Sequence, residues 1–159
     1  MRLTAEHPER DGHGVARPRQ GYAVGMQTSC SSRLEHCLPA LPASIGPLRR
    51  ALTAYAASNG ATARQCEDIA LAASEALSNV VVHAYVGHDN PGDIRVGAWS
   101  DGDEMHVAVC DDGIGMTPRV DSPGLGLGLA IIGRVCDRIR LESDDSACGV
   151  CVLMTFAIR

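Results

Sequence analysis

The sequence predicts an α+β fold, a two-layer α/β sandwich whose mixed, mostly antiparallel sheet carries its helices on one face. Two observations lead to this class. Segments with alternating apolar residues occur as hairpins, and a hairpin joins antiparallel neighbours. Stretches with helical spacing lie between them, so the predicted order is strand, helix, helix, hairpin, helix, hairpin. This order disfavours a doubly wound parallel sheet and favours helices packed against one side of a single sheet.

The first predicted elements are a leader, an edge strand and two helices. Residues 1–28 mix Pro, Gly, Arg, Glu and His without periodicity, which predicts a disordered leader before one domain spanning residues 29–159. Residues 33–38 alternate weakly, and the prolines that follow favour a strand at a sheet edge. A helix is predicted from Ser44 with Pro47 in its first turn, and Asn59-Gly60 marks its end.

The second helix is predicted to be the longest element. Thr62 and Gln65 have the spacing of a capping box, and apolar residues recur at helical spacing to about Tyr85. Asp101-Gly102 then predicts a hairpin between two strands, because Asp-Gly favours the tight turns that connect such strands. A third helix follows the glycine-rich run that begins at Gly124, and a final hairpin occupies the remaining residues to Ile158.

Composition and charge exclude several classes of protein. Hydrophobic residues make up 45% of the 159 residues, as in ordinary globular domains, and aromatic residues only 3%, so the core must be aliphatic. No apolar run approaches the roughly 20 residues that cross a bilayer. The N-terminus also lacks the apolar segment of an export signal, and a cytoplasmic protein with no membrane contact is expected.

The basic residues narrow the function further. The net charge is −5 and no basic cluster is longer than Arg49-Arg50, so direct nucleic-acid binding is disfavoured. All 14 basic residues are arginine. Without lysine the chain cannot hold a phosphate-binding loop that ends in Gly-Lys-Ser/Thr, nor the lysine of eukaryotic-type kinases.

The seven cysteines are expected to be reduced, because their number is odd and no secretion signal precedes them. Cys148 and Cys151 are three residues apart in a strand-like run. They therefore point to opposite faces and are poorly placed to share a metal or a disulfide.

Three motifs contain residues that could carry chemistry. Glu75 and Asn79 are four residues apart and share a helix face, where they could position a nucleophile and a hard cation such as Mg²⁺. His83 lies one turn further on. Taken alone, the same spacing is typical of a solvated helix face. The surrounding helix is otherwise apolar, however, so an isolated polar stripe needs a reason.

The second motif, Asp111 to Gly115, directly follows a predicted strand. Its carboxylate could accept a hydrogen bond from an exocyclic amino group, while Gly113 and Gly115 let the backbone approach a flat ring. Taken alone, it is also an ordinary tight turn. The third motif, Gly124, Gly126 and Gly128, opens a helix whose N-terminal amides favour phosphate oxygens. A hinge or a close helix–sheet contact would also explain these glycines.

The three motifs in this order resemble the GHKL ATPase superfamily, the Bergerat-fold proteins that include DNA gyrase, histidine kinases and the mismatch-repair protein MutL. Within it, the segment from Glu75 through Asn79 and His83 to Tyr85 is similar to that of the anti-sigma-factor serine/threonine-protein kinases. The resemblance covers roughly residues 33–158. It implies a histidine-kinase-like ATPase domain that binds ATP and Mg²⁺ and phosphorylates an anti-sigma antagonist. It also implies that the protein sequesters a sigma factor and forms a homodimer.

The resemblance also implies a role for each motif residue. Glu75 would be the general base and Asn79 the Mg²⁺ ligand, while Asp111 would bind the adenine amino group and Gly113 and Gly115 would shape the base pocket. Residues 116–123 would cover the nucleotide, with Arg119 a candidate phosphate contact. The phosphates would then meet a set of three glycines, Gly124, Gly126 and Gly128.

One departure from the family pattern keeps a second function open. Relatives often carry Gly-Thr where this chain has Gly149-Val150, so a hydroxyl that helps to hold a water on the adenine is missing, and Thr155 lies too far along the strand to replace it. Weaker adenine binding is expected. The alternative is a regulatory module that senses nucleotide without kinase activity.

Overall fold

The computed structural model describes residues 33–115, 125–144 and 147–158. Within them lie five strands, three α-helices and one π-helical turn. In chain order these elements are β1 (Leu34–Pro39), α1 (Pro42–Ser58), α2 (Ala63–Asn79), the π-helical turn (Val80–Ala84), β2 (Asp93–Asp101), β3 (Glu104–Asp111), α3 (Leu125–Val135), β4 (Arg138–Asp144) and β5 (Ala147–Ala157).

The strands form a single sheet in the order β1-β2-β3-β5-β4, and each of its four described pairings is antiparallel. The predicted two-layer α+β class is confirmed, as is the edge position of β1. The central pair, β3 and β5, is not consecutive in the chain, because α3 and β4 lie between them. This arrangement brings the end of β3 beside the start of β5.

One face of the sheet forms the core with α1 and α2. Its strands contribute aliphatic side chains at alternate positions, and buried Leu48, Leu52, Ile69 and Leu77 of the helices pack against them. The opposite face is more polar. There Trp99 stacks on His106, whose Nδ1 lies 3.1 Å from the Thr155 hydroxyl. Thr155 thus lies on the face of the sheet opposite Asp111, so its hydroxyl cannot replace the one that Val150 lacks.

The start of α1 differs from the prediction. The helix begins at Pro42, and Pro47 lies inside it rather than in its first turn. Because proline lacks an N–H, Pro42 fits the N-terminal position, where a helix needs no backbone donor. Ser44 lies in the first turn and its hydroxyl donates to the Pro39 carbonyl at 2.7 Å, which ties the helix to β1. The predicted end at Asn59 and Gly60 is confirmed.

The capping box of α2 is also confirmed. Gln65 N–H donates to the Thr62 hydroxyl at 3.3 Å, and Thr62 N–H donates to the Gln65 side-chain oxygen at 2.7 Å. The helix remains α-helical to Asn79 and then widens into the π-helical turn before Tyr85. Such single π-turns occur often at functional sites. Here the change of helix type begins directly after a predicted site residue.

The expectation that every cysteine is reduced is wrong for one pair. Cys110 on β3 and Cys151 on β5 form a disulfide, with their Cα atoms 4.0 Å apart. They are direct partners in the strand register, on the face of the sheet away from the helices. The sequence did not show that β3 and β5 are neighbours. Cys37, Cys66 and Cys136 are free thiols.

None of the helices in the described ranges is both long enough and apolar enough to cross a membrane.

Candidate functional site between β3, α2 and α3

The site begins at Asp111, the last residue of β3. Its side chain lies on the helix-covered face of the sheet and is only 8% exposed. The carboxylate accepts a hydrogen bond from Gly113 N–H at 2.9 Å and another from Val150 N–H. Burial raises the pKa of Asp111, and the two N–H donors oppose the rise. The backbone therefore holds a buried carboxylate in a fixed orientation.

Two glycines allow the chain to pass this carboxylate closely. A side chain at Gly113 would collide with the backbone carbonyl of Ala84, and one at Gly149 would collide with the carbonyl of Asp111. Gly115 has a φ of 76°, in the left-handed region that glycine adopts without strain. The close contact at Gly113 and the positive φ at Gly115 are structural reasons for these glycines, and they differ from the approach to a flat ring that the sequence analysis expects. Gly149 has an equivalent reason that sequence reasoning did not identify.

The second part of the site lies where α3 meets α2. Gly128, in the first turns of α3, is buried against the polar stripe of α2. A methyl group at Gly128 would lie 3.2 Å from Nδ2 of Asn79 and 3.4 Å from Oε2 of Glu75. The structure therefore brings together Glu75, Asn79 and Gly128, which are far apart in sequence. The polar stripe faces a neighbouring helix start rather than open solvent.

The two parts are joined through the end of the long helix. Ile114 N–H donates to the Ala84 carbonyl at 2.8 Å, and Asp112 N–H donates to the Tyr85 hydroxyl at 3.0 Å. Asp112 also forms a bidentate ion pair with Arg95 of β2, and one of its two hydrogen bonds measures 2.7 Å. The turn after β3 is thus attached to the same helical segment that carries Glu75 and Asn79.

Tyr85, Arg95 and Val150 are contacts that sequence reasoning missed. The sequence pattern singles out Tyr85 only by its spacing, and it gives Arg95 no role at the site. Val150 was noted for the hydroxyl it lacks, whereas the structure uses its backbone N–H. A backbone donor leaves no signal in residue type, which is why the sequence could not reveal it.

Some of the predicted site residues lie outside the part of the chain that the structure describes. Arg119, Gly124 and the segment 116–123 lie outside the described residues. Gly126 lies within α3, but its surroundings are not described. His83 is half-buried in the π-helical turn.

The oxygen atoms of the Asn79 and Glu75 side chains are of the kind that bind Mg²⁺ in a magnesium–nucleotide complex. Among the described residues there is no cluster of three or more His, Cys, Asp or Glu side chains that could hold a metal by itself. An amide oxygen such as that of Asn79 suits Mg²⁺, which commonly takes its remaining ligands from phosphates and water. Because Gly128 has no side chain, the first turns of α3 can lie close to the Asn79 side chain.

Comparisons with known proteins identify the family to which the chain is similar. Residues 38–156 match the family described as the histidine kinase-like ATPase domain. The serine-protein kinase RsbW of Bacillus subtilis is 33% identical over 138 residues, covering 77% of this chain and 83% of the relative. RsbW of Listeria monocytogenes serotype 4b is 31% identical over 133 residues, covering 74% of this chain and 82% of the relative.

Solved structures show the same fold. The RsbU and RsbW domains of Rv1364c from Mycobacterium tuberculosis superpose with a TM-score of 0.64 at 26% identity, and the match covers 80% of this chain. It spans 33% of that longer protein. The histidine kinase domain of a blue-light activated kinase from Erythrobacter litoralis superposes with a TM-score of 0.52 at 21% identity, which shows likeness of fold alone.

Because residues 38–156 match the family model and the RsbW relatives are 33% and 31% identical over most of their length, this chain belongs to the histidine kinase-like ATPase domain family, in the group that includes the serine-protein kinase RsbW.

Proposed function

We propose that this protein is an anti-sigma factor with ATP-dependent protein-serine kinase activity, which phosphorylates an anti-sigma antagonist and sequesters a sigma factor in the cytoplasm. The observation that carries the proposal is the meeting of Glu75 and Asn79 with Gly128, at a helix joined to the turn that holds Asp111. A base-binding group and a phosphate-facing group on one rigid frame are what phosphoryl transfer requires, since positioning and electrostatics dominate that reaction.

In this mechanism Asp111 accepts a hydrogen bond from the adenine amino group, and Gly113 and Gly115 leave room for the ring. Glu75 accepts the proton of the attacking serine hydroxyl. The new bond joins that oxygen to the γ-phosphorus, the bond from the γ-phosphorus to the bridging oxygen breaks, and ADP leaves. Asn79 would hold Mg²⁺, which neutralises phosphate charge when bound. Gly124, Gly126 and Gly128 would offer backbone N–H groups or close approach to the phosphates, with Arg119 as a further phosphate contact.

The expected partners are proteins. A sigma factor, an antagonist with an acceptor serine and a second copy of this chain are proposed from the resemblance to the anti-sigma kinases and from the similarity to RsbW. Direct contact with nucleic acid or membrane is not part of the proposal. We also propose that residues 29–159 form a single catalytic domain.

A direct test separates binding from transfer. Labelled ATP, Mg²⁺ and a candidate antagonist are incubated with the wild type, Asp111→Ala and Glu75→Ala. Asp111→Ala should abolish nucleotide binding, whereas Glu75→Ala should bind ATP and transfer no phosphate to serine. If both variants lose transfer alone, the base pocket is misplaced.

Val150 favours one alternative, a nucleotide-sensing regulator without kinase activity. Because a hydroxyl common among relatives is missing beside Asp111, binding and catalysis need not have been retained together. Nucleotide-dependent partner binding that is unaffected by Glu75→Ala, with no phosphoserine formed, would support this alternative over the kinase.

A further inference from the structure

The Tyr85 side chain lies between three segments that the proposed function uses separately. Its hydroxyl accepts from Asp112 N–H at 3.0 Å and donates to the Asp93 carbonyl at 2.8 Å. Its ring lies so close to Gly92 that a side chain there would collide with it. One phenol therefore connects the end of the long helical segment, the start of β2 and the turn after β3.

The other contacts of this turn show why the phenol matters. On one side, Ile114 N–H is bonded to the Ala84 carbonyl, and Gly113 packs flat against the same residue. On the other side, the Asp112 carboxylate is paired with Arg95. The Tyr85 hydroxyl adds a third attachment, a hydrogen bond to the backbone N–H of Asp112, one residue from Asp111.

We propose that Tyr85 is a positioning residue that aligns the adenine-binding carboxylate of Asp111 with the phosphate-facing pair Glu75 and Asn79. The inference deepens the proposed function and depends on it. Tyr85 does not contact the nucleotide. It connects the segment that ends the catalytic helix to the turn that reads the base, so that ATP bound at one end is placed correctly at the other. The burial that supports this role also raises the pKa of the Tyr85 hydroxyl, which keeps it protonated and able to donate.

The sharpest test removes one oxygen atom. Tyr85→Phe keeps the ring against Gly92 and loses both hydrogen bonds. We expect Tyr85→Phe to raise KM for ATP roughly tenfold, because two ordinary hydrogen bonds are lost. The preference for ATP over GTP should fall as well, because the backbone next to Asp111 is no longer attached to Tyr85 at Asp112.

The preference for ATP over GTP separates positioning from mere structural support, because the concentration of folded protein cancels in that ratio. If Tyr85→Phe lowers the melting temperature but leaves KM and the ratio unchanged, Tyr85 is only structural and the inference is wrong. If the wild type itself shows no preference for ATP, the proposed function fails first, a result that is distinct from the failure of Tyr85 alone. Gly92→Ala, which displaces the ring, should reproduce the loss of preference.

Discussion

At the scale of a single residue, the burial of Asp111 lowers the folding stability of the protein, and the proposed binding of adenine requires this buried carboxylate. Burial raises its pKa above the ordinary value of 3.8, so the ionised form costs folding free energy at neutral pH. That cost disappears as the pH falls through the interval between the unfolded and the folded pKa. In the proposed function, adenine binding has the opposite pH dependence and weakens as the pH falls, because the amino group of the base needs an ionised acceptor at Asp111.

Nucleotide affinity should therefore weaken on acidification at a higher pH than an exposed aspartate would dictate. The measurement is calorimetric titration of ADP across a pH series, for the wild type and for Asp111→Asn. The asparagine variant should bind more weakly at neutral pH and lack this dependence. Because protonation of the ligand affects both proteins equally, the ratio of their affinities isolates Asp111. A ratio that stays constant with pH would contradict the assigned role.

Two glycines of α3 provide a matched pair of substitutions. A methyl group at Gly128 would lie 3.2 Å from the Asn79 side chain, whereas one at Gly133 would have nothing within 4 Å. Both substitutions gain helix propensity, which stabilises a helix by about 0.5–1 kcal/mol. Gly128→Ala should nevertheless lower phosphoryl transfer by roughly tenfold, because small displacements of reacting groups are costly. Gly133→Ala should retain full activity in the same assay, and equal rates for the two variants would show that Gly128 does not shape the site.

At the scale of elements, the pairing of β3 with β5 positions the backbone around Asp111. The Val150 N–H of β5 reaches the Asp111 carboxylate at the end of β3. The neighbouring residues Cys110 and Cys151 are direct partners in the same register and lie on the opposite face of the sheet. The disulfide joins residues 41 positions apart in sequence. It therefore links the two strands that form the pocket corner.

Reduction of this disulfide should lower the free energy of unfolding by about 2–4 kcal/mol, since a link across a loop of this length restricts the unfolded chain. Urea unfolding with and without a reductant measures the change. Cys110→Ala/Cys151→Ala is the control, because it should make stability insensitive to the reductant. Peptide mapping of the oxidised protein should find these two cysteines linked. If the linked peptide is absent under oxidising conditions, the pairing is contradicted.

At the scale of the whole molecule, the proposed nucleotide site spans both layers of the fold. In that proposal β3 and β5 provide the base-binding end and α2 and α3 provide the phosphate-binding end, and the π-helical turn connects the two through the hydrogen bond from Ile114 N–H to the Ala84 carbonyl. A ligand that contacts both ends should bind the folded state and not the unfolded chain. Binding should therefore stabilise the entire domain.

ATP with Mg²⁺ at a hundredfold excess over Kd should add about 2.7 kcal/mol to the free energy of unfolding. Thermal unfolding at several ATP concentrations measures this as a concentration-dependent rise in Tm. Asp111→Ala should show no rise, whereas Glu75→Ala should retain it. A rise that persists in Asp111→Ala would place the nucleotide elsewhere on the molecule.

Much of this architecture could be predicted from local chemistry. Three features depend only on residues that are near one another in sequence: the capping box at Thr62, the turn at Asn59-Gly60 and the alternation along β5. The sequence pattern was therefore sufficient to predict each of them. The start of α1 was predicted incorrectly because Pro42 and Pro47 both suit a first turn. Only the contact of Ser44 with β1 shows which proline begins the helix.

What the sequence determined by itself was the set of chemical groups: Glu75 and Asn79 on one helix face, Asp111 before spaced glycines, and a glycine run at the start of a helix. The tertiary structure decided which groups meet, and it also showed that Gly126 and Gly128 lie inside α3 rather than before it. It placed Gly128 against Asn79, Val150 N–H at Asp111, Cys110 opposite Cys151 and the Tyr85 hydroxyl against the backbone of the turn after β3. The physical reason is that these contacts join distant segments through strand order and backbone donors, neither of which is written in residue type.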